Sequence, residues 1–375
     1  MSCSPDILGS YFMSDIRITN CHIHTFTAQH IPRSFPFPAI RFLRSEPGLV
    51  LGLAKFLRTI GQEHISEQVV RLHQFLLQGS QPSQAHILAD VVRHYPRGTR
   101  FVVLPMDMSK IERGPVPVGL KDQHDELAQL RDAAEPAGSV VPFATVDPRD
   151  PVSVAECLRA LNELEFKGLK IYPRLGFAPD NPLLMQQIYP RVIELGLPVM
   201  THCSRGGVQG RYVCDYKGDG YTRPHAYLPV LRKFPQMRLC FAHFGGQVDW
   251  TAYSNAKDTR GKENWMEQIR EMIGGGEFPN LWTDISYTMF HFEAFAPILR
   301  MLLKGDDVAS RRLRSRVLFG SDFYMTRQEE LSERAVSIRL RNTLGEELFK
   351  QIAQTNPEVW LDGGSEDKSL WTGLG

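Results

Sequence analysis

Eight short apolar runs, each followed by a polar loop, limit the fold of this 375-residue chain more than any other feature of its sequence. Several runs are almost continuous in apolar residues, which is typical of parallel strands that are buried on both faces. Helical patterns lie between most of them, and strands that alternate with helices indicate βαβ units and a parallel sheet. Eight such units predict an α/β fold of the (β/α)8 barrel type. The runs are 16–23, 100–106, 140–146, 166–172, 198–202, 238–244, 281–286 and 317–322.

The loops that follow the runs are longer than the loops that precede them. Residues 204–223 and 245–261 follow predicted strands, whereas the turn at 196–198 leads into one. In a (β/α)8 barrel the loops after the strands form the face that carries the active site. The longest insertion, about 25–98, also follows a strand and contains helical patterns around 48–59, 63–78 and 83–95, so we expect a helical cap over this face. Residues 15–361 are predicted to form a single domain, with 362–375 as a C-terminal tail.

Charge and composition exclude several classes of protein. The chain has 43 Lys+Arg against 42 Asp+Glu and a net charge of +1, without the basic excess that nucleic-acid binding needs. No stretch approaches 18 uncharged apolar residues, and the N-terminus lacks the pattern of a secretory signal. The six cysteines form no C-x-x-C pair. We therefore expect a cytoplasmic enzyme with a small-molecule substrate and neither a nucleic-acid nor a membrane partner; its assembly is left open, with a homodimer as one option.

Polar residues that carry chemistry lie at or near the ends of five of these runs. Because residues two apart in a strand share a face, His22 and His24 point into the barrel together if Cys21 and Ile23 pack outward. The same rule predicts that Phe241 faces inward with His243. The polar residues are His22, His24, Lys170, His202, His243 and Asp322.

This set of side chains predicts a metal site. Neutral imidazoles and carboxylates are ligands that suit Zn²⁺ and similar divalent ions. Three or four protein ligands with one position left open are typical of a catalytic site rather than a structural one. The alternative for Asp322 alone is a helix N-cap, a position that Asp favours.

Four local strings resemble segments of the amidohydrolase superfamily, in particular its amidohydrolase-2 branch. This branch contains metal-dependent hydrolases and non-oxidative decarboxylases of the aminocarboxymuconate-semialdehyde type. The resemblance covers about 15–361 and implies a distorted TIM barrel in which His243 holds or polarises the water bound to a metal. The implied metal ligands are His22, His24, His202 and Asp322. The strings are "GLKIYP", "PVMTHCS", "FAHFGG" and "LFGSDF".

The chemistry of the residues agrees with those roles. Asp322 can accept a proton from water and pass it to a leaving group, so it is a candidate catalytic residue. His243 is the second candidate, because it can orient the water or polarise a substrate oxygen. The expected cofactor is a divalent metal, with Zn²⁺ favoured, in one or two ions.

Lys170 leaves three alternatives open. A free lysine beside a dication is unfavourable, so it can stay neutral or turn away from a single metal. It can instead react with CO2 to give a carbamate that bridges two ions, as its similarity to dihydroorotase-type members implies. His202 and His243 would then bind the second ion. In the third alternative Lys170 forms an ion pair with Asp147 or Asp284.

Substrate-binding candidates lie on the predicted mouth of the barrel. Arg174 and Arg205 could each bind a substrate carboxylate with two hydrogen bonds. Tyr172 and Trp250 could line the pocket or pack the loops. The first functional hypothesis is a metal-dependent hydrolase of a small carboxylate-bearing ester, lactone or amide. The second is a decarboxylase of an aromatic or dienoic acid at the same site, and the third is a catalytically inactive binding barrel.

Overall fold

The computed structural model describes residues 16–35, 75–255, 263–286, 292–324, 332–364 and 368–371, together with isolated residues between 48 and 73. Within these residues, parallel strands alternate with helices along the chain. The strands are β1 Thr19–Ile23, β2 Arg100–Val103, β3 Val140–Pro142, β4 Ala144–Thr145, β5 Leu169–Ile171, β6 Val199–Ser204, β7 Leu239–Gly245, β8 Leu281–Asp284 and β9 Val317–Leu318.

The helices lie between and after the strands. They are α1 Gln84–Val92, α2 Leu120–Asp132, α3 Pro151–Asn162, α4 Tyr189–Glu194, α5 Asp215–Thr222, α6 Leu228–Lys233, α7 Gln247–Ser254, α8 Trp265–Gly275, α9 Phe292–Lys304, α10 Val308–Arg314, α11 Glu333–Leu344, α12 Glu346–Lys350 and α13 Asn356–Asp362. Several begin with a side-chain cap; for example, the Asp150 side chain accepts a hydrogen bond from the N–H of Val152 at the start of α3. None of the helices in the described part of the chain is both long and apolar enough to cross a membrane.

The strands pair in parallel in two groups, β1-β2-β3 and β4-β5-β6-β7-β8-β9. The predicted third strand accounts for both β3 and β4, which are separated only by Phe143. The N–H of Phe143 donates to the carbonyl of Val103 in β2 at 3.0 Å, and the N–H of Ala144 donates to the carbonyl of Gly168 before β5 at 2.9 Å. This segment therefore changes partner halfway along and joins the two groups.

The last strand also bonds to the first. The N–H of Cys21 donates to the carbonyl of Phe319 at 2.9 Å, and the N–H of Asp322 donates to the carbonyl of His22 at 2.8 Å. Ile23 and Phe323 form a parallel bridge. These bonds bring the strand order back to its start, and the predicted α/β fold of the (β/α)8 type is confirmed.

Two apolar cores lie on the two sides of this ring of strands. The larger core packs the helices against the outer faces of the strands. The smaller core draws side chains from strands all around the ring, so it fills the interior, and Trp360 and Leu361 of α13 pack against it. Its other members are Cys21, Val102, Leu104, Val141, Phe143, Met200, Cys240, Ala242, Trp282 and Leu318.

Two predictions about strand faces are wrong. Cys21 packs in the interior core, not outward. The register explains this, because Asn20 pairs with Phe101 whereas Ile23 pairs with Val103, so β1 has one residue more than β2 at this point. The extra residue lets neighbouring side chains share the inner face, as in a β-bulge. His22 and His24 still reach the interior, but not by simple alternation.

Phe241 is the second exception. It packs outside the ring against Tyr227, with ring centroids 4.9 Å apart. His243 nevertheless faces the interior because β7 gains a residue relative to β6 beyond Ala242. At this point the backbone of His243 is left-handed, with a φ of 70°. Such a conformation is uncommon for a residue other than glycine, and it turns the imidazole toward the barrel axis.

Only part of the insertion at 25–98 lies within the described residues. Helix α1 belongs to it, residues 75–79 are also helical, and Phe35 and Phe75 reach the wall of the central cavity. Most of the helical patterns predicted at 48–59 and 63–78 lie outside the described residues. The division into one domain, a cap and a tail at 362–375 therefore stays a prediction.

A glycine inside the barrel gives a test of this packing. A Cβ atom at Gly168 would lie 2.3 Å from the ring of Phe143 in the interior core. We expect Gly168→Ala to destabilise the protein by about 1–3 kcal/mol, because a tightly packed core cannot take up the added methyl group. The midpoint of thermal unfolding should fall, and adding Phe143→Leu should recover part of the loss.

Gly275→Ala is the matched control, because nothing lies within 4 Å of a Cβ at the end of α8. This variant should keep the wild-type unfolding midpoint or exceed it. An unchanged midpoint in Gly168→Ala would contradict the close contact between Gly168 and Phe143.

Candidate metal centre

All the polar residues predicted at the strand ends line one cavity of about 410 Å³ at the carboxyl ends of the strands. Every one of them is almost fully buried. Their convergence follows from the fold, because the carboxyl ends of parallel strands open on the same face of a barrel. The residues are His22, His24, Lys170, His202, His243 and Asp322.

His22, His24 and Asp322 form the tightest group in the cavity. The Nδ1 of His22 lies 2.8 Å from Oδ2 of Asp284, and the Nδ1 of His24 lies 2.7 Å from the carbonyl of Leu104. Both Nδ1 atoms face acceptors, so both carry the proton and leave Nε2 with a lone pair. These Nε2 atoms lie 3.5 Å and 3.2 Å from Oδ1 of Asp322.

This group fits a divalent ion. With the Nδ1 atoms protonated, two imidazole lone pairs and a carboxylate oxygen face one point, and all three are acceptors. His22 Nε2 and Asp322 Oδ1 are buried and lack a hydrogen-bond partner among the described residues. Buried polar atoms without a partner are costly, and a cation at this point would remove the cost. Imidazole held by an acceptor on its other nitrogen is also the usual form of a metal ligand.

His202 and His243 form a second pair beside this group. The Nε2 of His202 lies 3.1 Å from the carbonyl of Gly206, and the Nδ1 of His243 lies 2.9 Å from Oγ of Ser286. The remaining nitrogens, His202 Nδ1 and His243 Nε2, are 3.1 Å apart. If both outer nitrogens are protonated, two lone pairs face each other, so a proton or a cation must lie between them.

Burial sets the charge state of these side chains. It lowers the pKa of His22 and His202 well below the usual range, and the pKa of His243 less far. Burial also opposes the ionisation of Asp322, but the adjacent imidazoles of His24, His22 and His243 outweigh it and lower the pKa of this carboxyl group. At neutral pH the imidazoles of His22, His202 and His243 are neutral and the carboxylate of Asp322 is ionised, which are the forms that bind metals.

Asp284 is a site residue that the sequence argument considered only as a partner of Lys170. Its Oδ2 accepts from His22, and its Oδ1 accepts from the N–H of His243 at 2.8 Å and the N–H of Ser286 at 3.0 Å. The Ser286 hydroxyl also donates to Oδ1. Its position at the end of β8 is the same signal that identified Asp322. Asp284 thus orients two histidines from outside the metal-facing group.

A buried amide network holds the two strands that carry His22 and Asp322. Oδ1 of Asn20 accepts from the N–H groups of His22 and Ser321, and its Nδ2 donates to the hydroxyls of Ser321 and Tyr95. The Tyr95 hydroxyl in turn donates to Glu333 at the start of α11, at 2.6 Å. One side chain therefore fixes the spacing between β1 and the turn that bears Asp322.

Lys170 lies in β5 with its Nζ buried and without a hydrogen-bond partner in the described part of the chain. The ion pair with Asp147 or Asp284 is not formed. Asp147 is held by Arg149 at 2.5 Å, and both oxygens of Asp284 are engaged as described above. Burial lowers the pKa of Lys170 to about 8, against the opposing effect of nearby carboxylates.

The substrate-binding candidates divide into two groups. Tyr172 and Arg205 line the cavity, and the Tyr172 ring stacks on His202 with centroids 4.2 Å apart. Arg174 and Trp250 do not line it. Arg174 is buried in ion pairs with Asp215 and Asp219, and the Trp250 indole donates to the carbonyl of Phe244.

The outer wall of the cavity is apolar, a feature that sequence reasoning did not predict. Its side chains come from the insertion that follows β1, from the loops after β2 and β6, and from helix α7 after β7. The wall residues are Phe26, Phe35, Phe75, Met106, Met108, Val208 and Val248. A polar floor under an apolar wall is typical of a site for a small organic molecule.

A barrel with histidines and a carboxylate at its mouth defines a metal-dependent enzyme class, and the sequence comparison agrees. The Amidohydro_2 family model, described as amidohydrolase, matches residues 119–362. The match spans more than half of the chain, so the protein belongs to this amidohydrolase family, and the resemblance seen in its motifs is confirmed. His202, His243 and Asp322 lie inside the matched range. No curated protein matches the sequence.

Solved structures confirm the fold at low sequence identity. The 5-carboxyvanillate decarboxylase from Sphingomonas paucimobilis is 15% identical, with a TM-score of 0.53, over 92% of this chain and 99% of that one. The enzyme of the same name from Novosphingobium aromaticivorans, complexed with manganese and 4-hydroxy-3-methoxy-5-nitrobenzoic acid, is 14% identical, with a TM-score of 0.53, over 93% and 96%. An uncharacterised TIM-barrel protein from Bordetella bronchiseptica is 15% identical, with a TM-score of 0.54, over 92% and 98%.

We expect Asp284→Asn to weaken metal binding by about 10- to 100-fold, because the side chains that orient metal ligands typically contribute this much. An amide in this position cannot accept from His22 and from two backbone N–H groups at once. Competition with a chromogenic chelator measures the affinity. Asp147→Asn is the control, since Asp147 is also buried but pairs with Arg149 away from the histidines. Equal affinities in the two variants would contradict the role of Asp284.

Proposed function

We propose that the protein is a metal-dependent hydrolase that uses water to cleave an ester, lactone or amide bond in a small carboxylate-bearing molecule. The observation that carries this proposal is the group of His22, His24 and Asp322, whose acceptor atoms converge at the floor of an accessible cavity. Membership of the amidohydrolase family supports it.

The residues that would hold the ion are His22, His24 and Asp322, with His202 and His243 beside them. We propose Zn²⁺ because the donors are mainly imidazole nitrogens. A divalent ion held there supplies Lewis-acid activation of water and polarisation of the scissile carbonyl. The proposed stoichiometry is one ion held by His22, His24, Asp322 and His202, and a second ion between His202 and His243 is the alternative.

Each of the side chains around the ion has its own proposed role in hydrolysis. Water adds across the bond, so its oxygen joins the acyl carbon and its protons must be moved. Asp322 is the proposed acceptor of the first proton, which it later gives to the leaving group. The proposed role of the His202–His243 pair, whose facing nitrogens are 3.1 Å apart, is to hold a proton near the carbonyl oxygen, where charge develops. The Tyr172 ring, stacked on His202, fixes the imidazole that faces this oxygen.

Non-oxidative decarboxylation of an aromatic or dienoic acid is the second candidate. The aromatic wall formed by Phe26, Phe35 and Phe75 favours it, because flat conjugated molecules pack well against such rings. Both candidates need the same metal-facing residues, so the fold alone does not choose between them.

A product assay in isotope-labelled water separates the two candidates. The metal-loaded protein is incubated with a panel of aryl esters, lactones, N-acyl compounds and hydroxybenzoic acids, and CO2 and acid release are followed separately. We expect acid products that carry oxygen from the solvent and no CO2. Release of CO2 without incorporation of solvent oxygen would overturn the hydrolase proposal in favour of the decarboxylase.

The role of Asp322 can be tested by Asp322→Asn at saturating metal. The amide keeps the volume of the side chain but cannot accept the proton, so we expect kcat to fall by about 10²- to 10⁴-fold. Circular dichroism and the unfolding midpoint should stay close to wild type. Full activity in this variant would remove Asp322 from the mechanism.

Metal dependence gives a further prediction. Purified protein should contain about one or two divalent ions per chain, given its ligand set. Treatment with a strong chelator should abolish activity, and added Zn²⁺ should restore it. His202→Ala should lose activity and much of the metal. A folded, metal-free protein that remains fully active would refute the proposal that the enzyme depends on a metal.

A further inference from the structure

The ammonium group of Lys170 is a buried cation that faces the cavity. Its backbone is fixed in β5 by pairing with Met200 and by the Thr145 hydroxyl, which donates to the Lys170 carbonyl at 2.9 Å. The residue is 1% exposed, and its Nζ finds no acceptor among the residues that the structure describes. A buried ammonium without a partner is strongly unfavourable. The arrangement therefore calls for an anion that the chain itself does not provide.

Two of the nearby carboxylates are committed to other donors, and the third belongs to the metal-facing group. Asp284 accepts from His22, from two backbone N–H groups and from the Ser286 hydroxyl. Asp147 accepts from the guanidinium and the N–H of Arg149. Asp322 directs Oδ1 at His22 and His24. None of these three side chains is in ion-pair contact with Lys170.

Other cations near the mouth differ from Lys170 in this respect. Arg205 also lines the cavity, but its guanidinium pairs with Asp249 at 3.0 Å and donates to the carbonyl of Glu263 at 2.8 Å. Arg174 is equally buried, yet it is held by Asp215, Asp219 and Gln209. Of the three cations Lys170, Arg174 and Arg205, only Lys170 has no partner among the described residues and so has its charge available for a ligand.

We infer that Lys170 is the docking point for the carboxylate group of a small organic acid. The carboxylate would sit beside the histidines, and the rest of the ligand would extend along the apolar wall. Phe26, Phe75 and Met106 belong to that wall and can cover a flat apolar body. The ligand class is therefore a small carboxylic acid with a planar, apolar remainder. Calling this acid the substrate rests on the proposed function, whereas its binding does not.

A matched pair of probes tests the inference without any turnover. Benzoate and benzamide have the same ring, and only benzoate carries a charge. Their binding is measured by calorimetry on the metal-loaded protein and on chelator-treated protein. Wild type should bind benzoate more tightly than benzamide in both states. Lys170→Met should lose about tenfold or more in benzoate affinity, the effect of one charge-assisted hydrogen bond, and keep its benzamide affinity.

Lys167→Met is the matched control, because Lys167 lies three residues earlier in the same segment and is exposed. It should bind both probes as wild type does. Lys170→Met removes an unpaired buried charge and should fold at least as stably as wild type. If it does not fold, Lys170→Gln provides the same comparison.

Three results would overturn the inference. Equal benzoate affinity in wild type and Lys170→Met would show that Lys170 does not hold the carboxylate. Binding that disappears with the metal in wild type, or that falls in Arg205→Met instead, would assign the carboxylate to another group. A native mass that exceeds the denatured mass by one CO2, and does so only when Lys170 is present, would show a carbamate and hence an anion. Failure of the hydrolase assay alone leaves the probe-binding results unaffected.

Discussion

The hydrogen bonds between the last strand and the first are the constraint on which the rest of the structure depends. The N–H of Asp322 donates to the carbonyl of His22, so the same bond that brings the ring of strands back to its start also sets the carboxylate beside the imidazole. A Cβ atom at Gly320 would lie 2.8 Å from the Cβ of His22, which shows how closely the two segments approach. The hydrogen bonds that close the barrel therefore also bring the metal-facing side chains together.

The electrostatics of the site follow from this enforced proximity. Buried acceptors cannot remain unpaired at low cost, and here two imidazole lone pairs and a carboxylate oxygen meet at one buried point. Asp284 takes the proton side of His22, which leaves only the lone-pair side toward Asp322. The cavity thus contains a group of acceptors without a cation at His22, His24 and Asp322, and a cation without an acceptor at Lys170. A bound metal ion would pair with the acceptors, and the carboxylate of a bound acid would pair with Lys170.

The barrel could be predicted from sequence because strands buried on both faces leave continuous apolar runs with polar ends. What could not be predicted were the points where backbone hydrogen bonds change partner. Phe143 divides one run into two strands; the preceding Pro142 has no N–H to donate to a neighbouring strand, but it does not indicate which strand the segment pairs with next. His22 and His243 do face the cavity, but irregular register at β1 and β7 puts them there rather than simple alternation. The ion pairs of Arg174 could not be predicted for another reason, because its partners Asp215 and Asp219 lie far along the chain.

The support for the site extends from Asn20 in β1 to two side chains outside the ring of strands, Tyr95 and Glu333. Asn20 uses both lone-pair directions of its oxygen and both N–H groups of its amide, and each has a partner. A carboxylate in its place would lose the two donors and add a negative charge behind His22, where it would compete for the cation. A neutral amide fixes the spacing without disturbing the field at Asp322. Through Tyr95 and Glu333, the end of the insertion and the start of α11 are tied to the same amide. Displacement of either outer element would therefore change the distance between His22 and Asp322. Binding of an ion between these two side chains requires that distance to be constant.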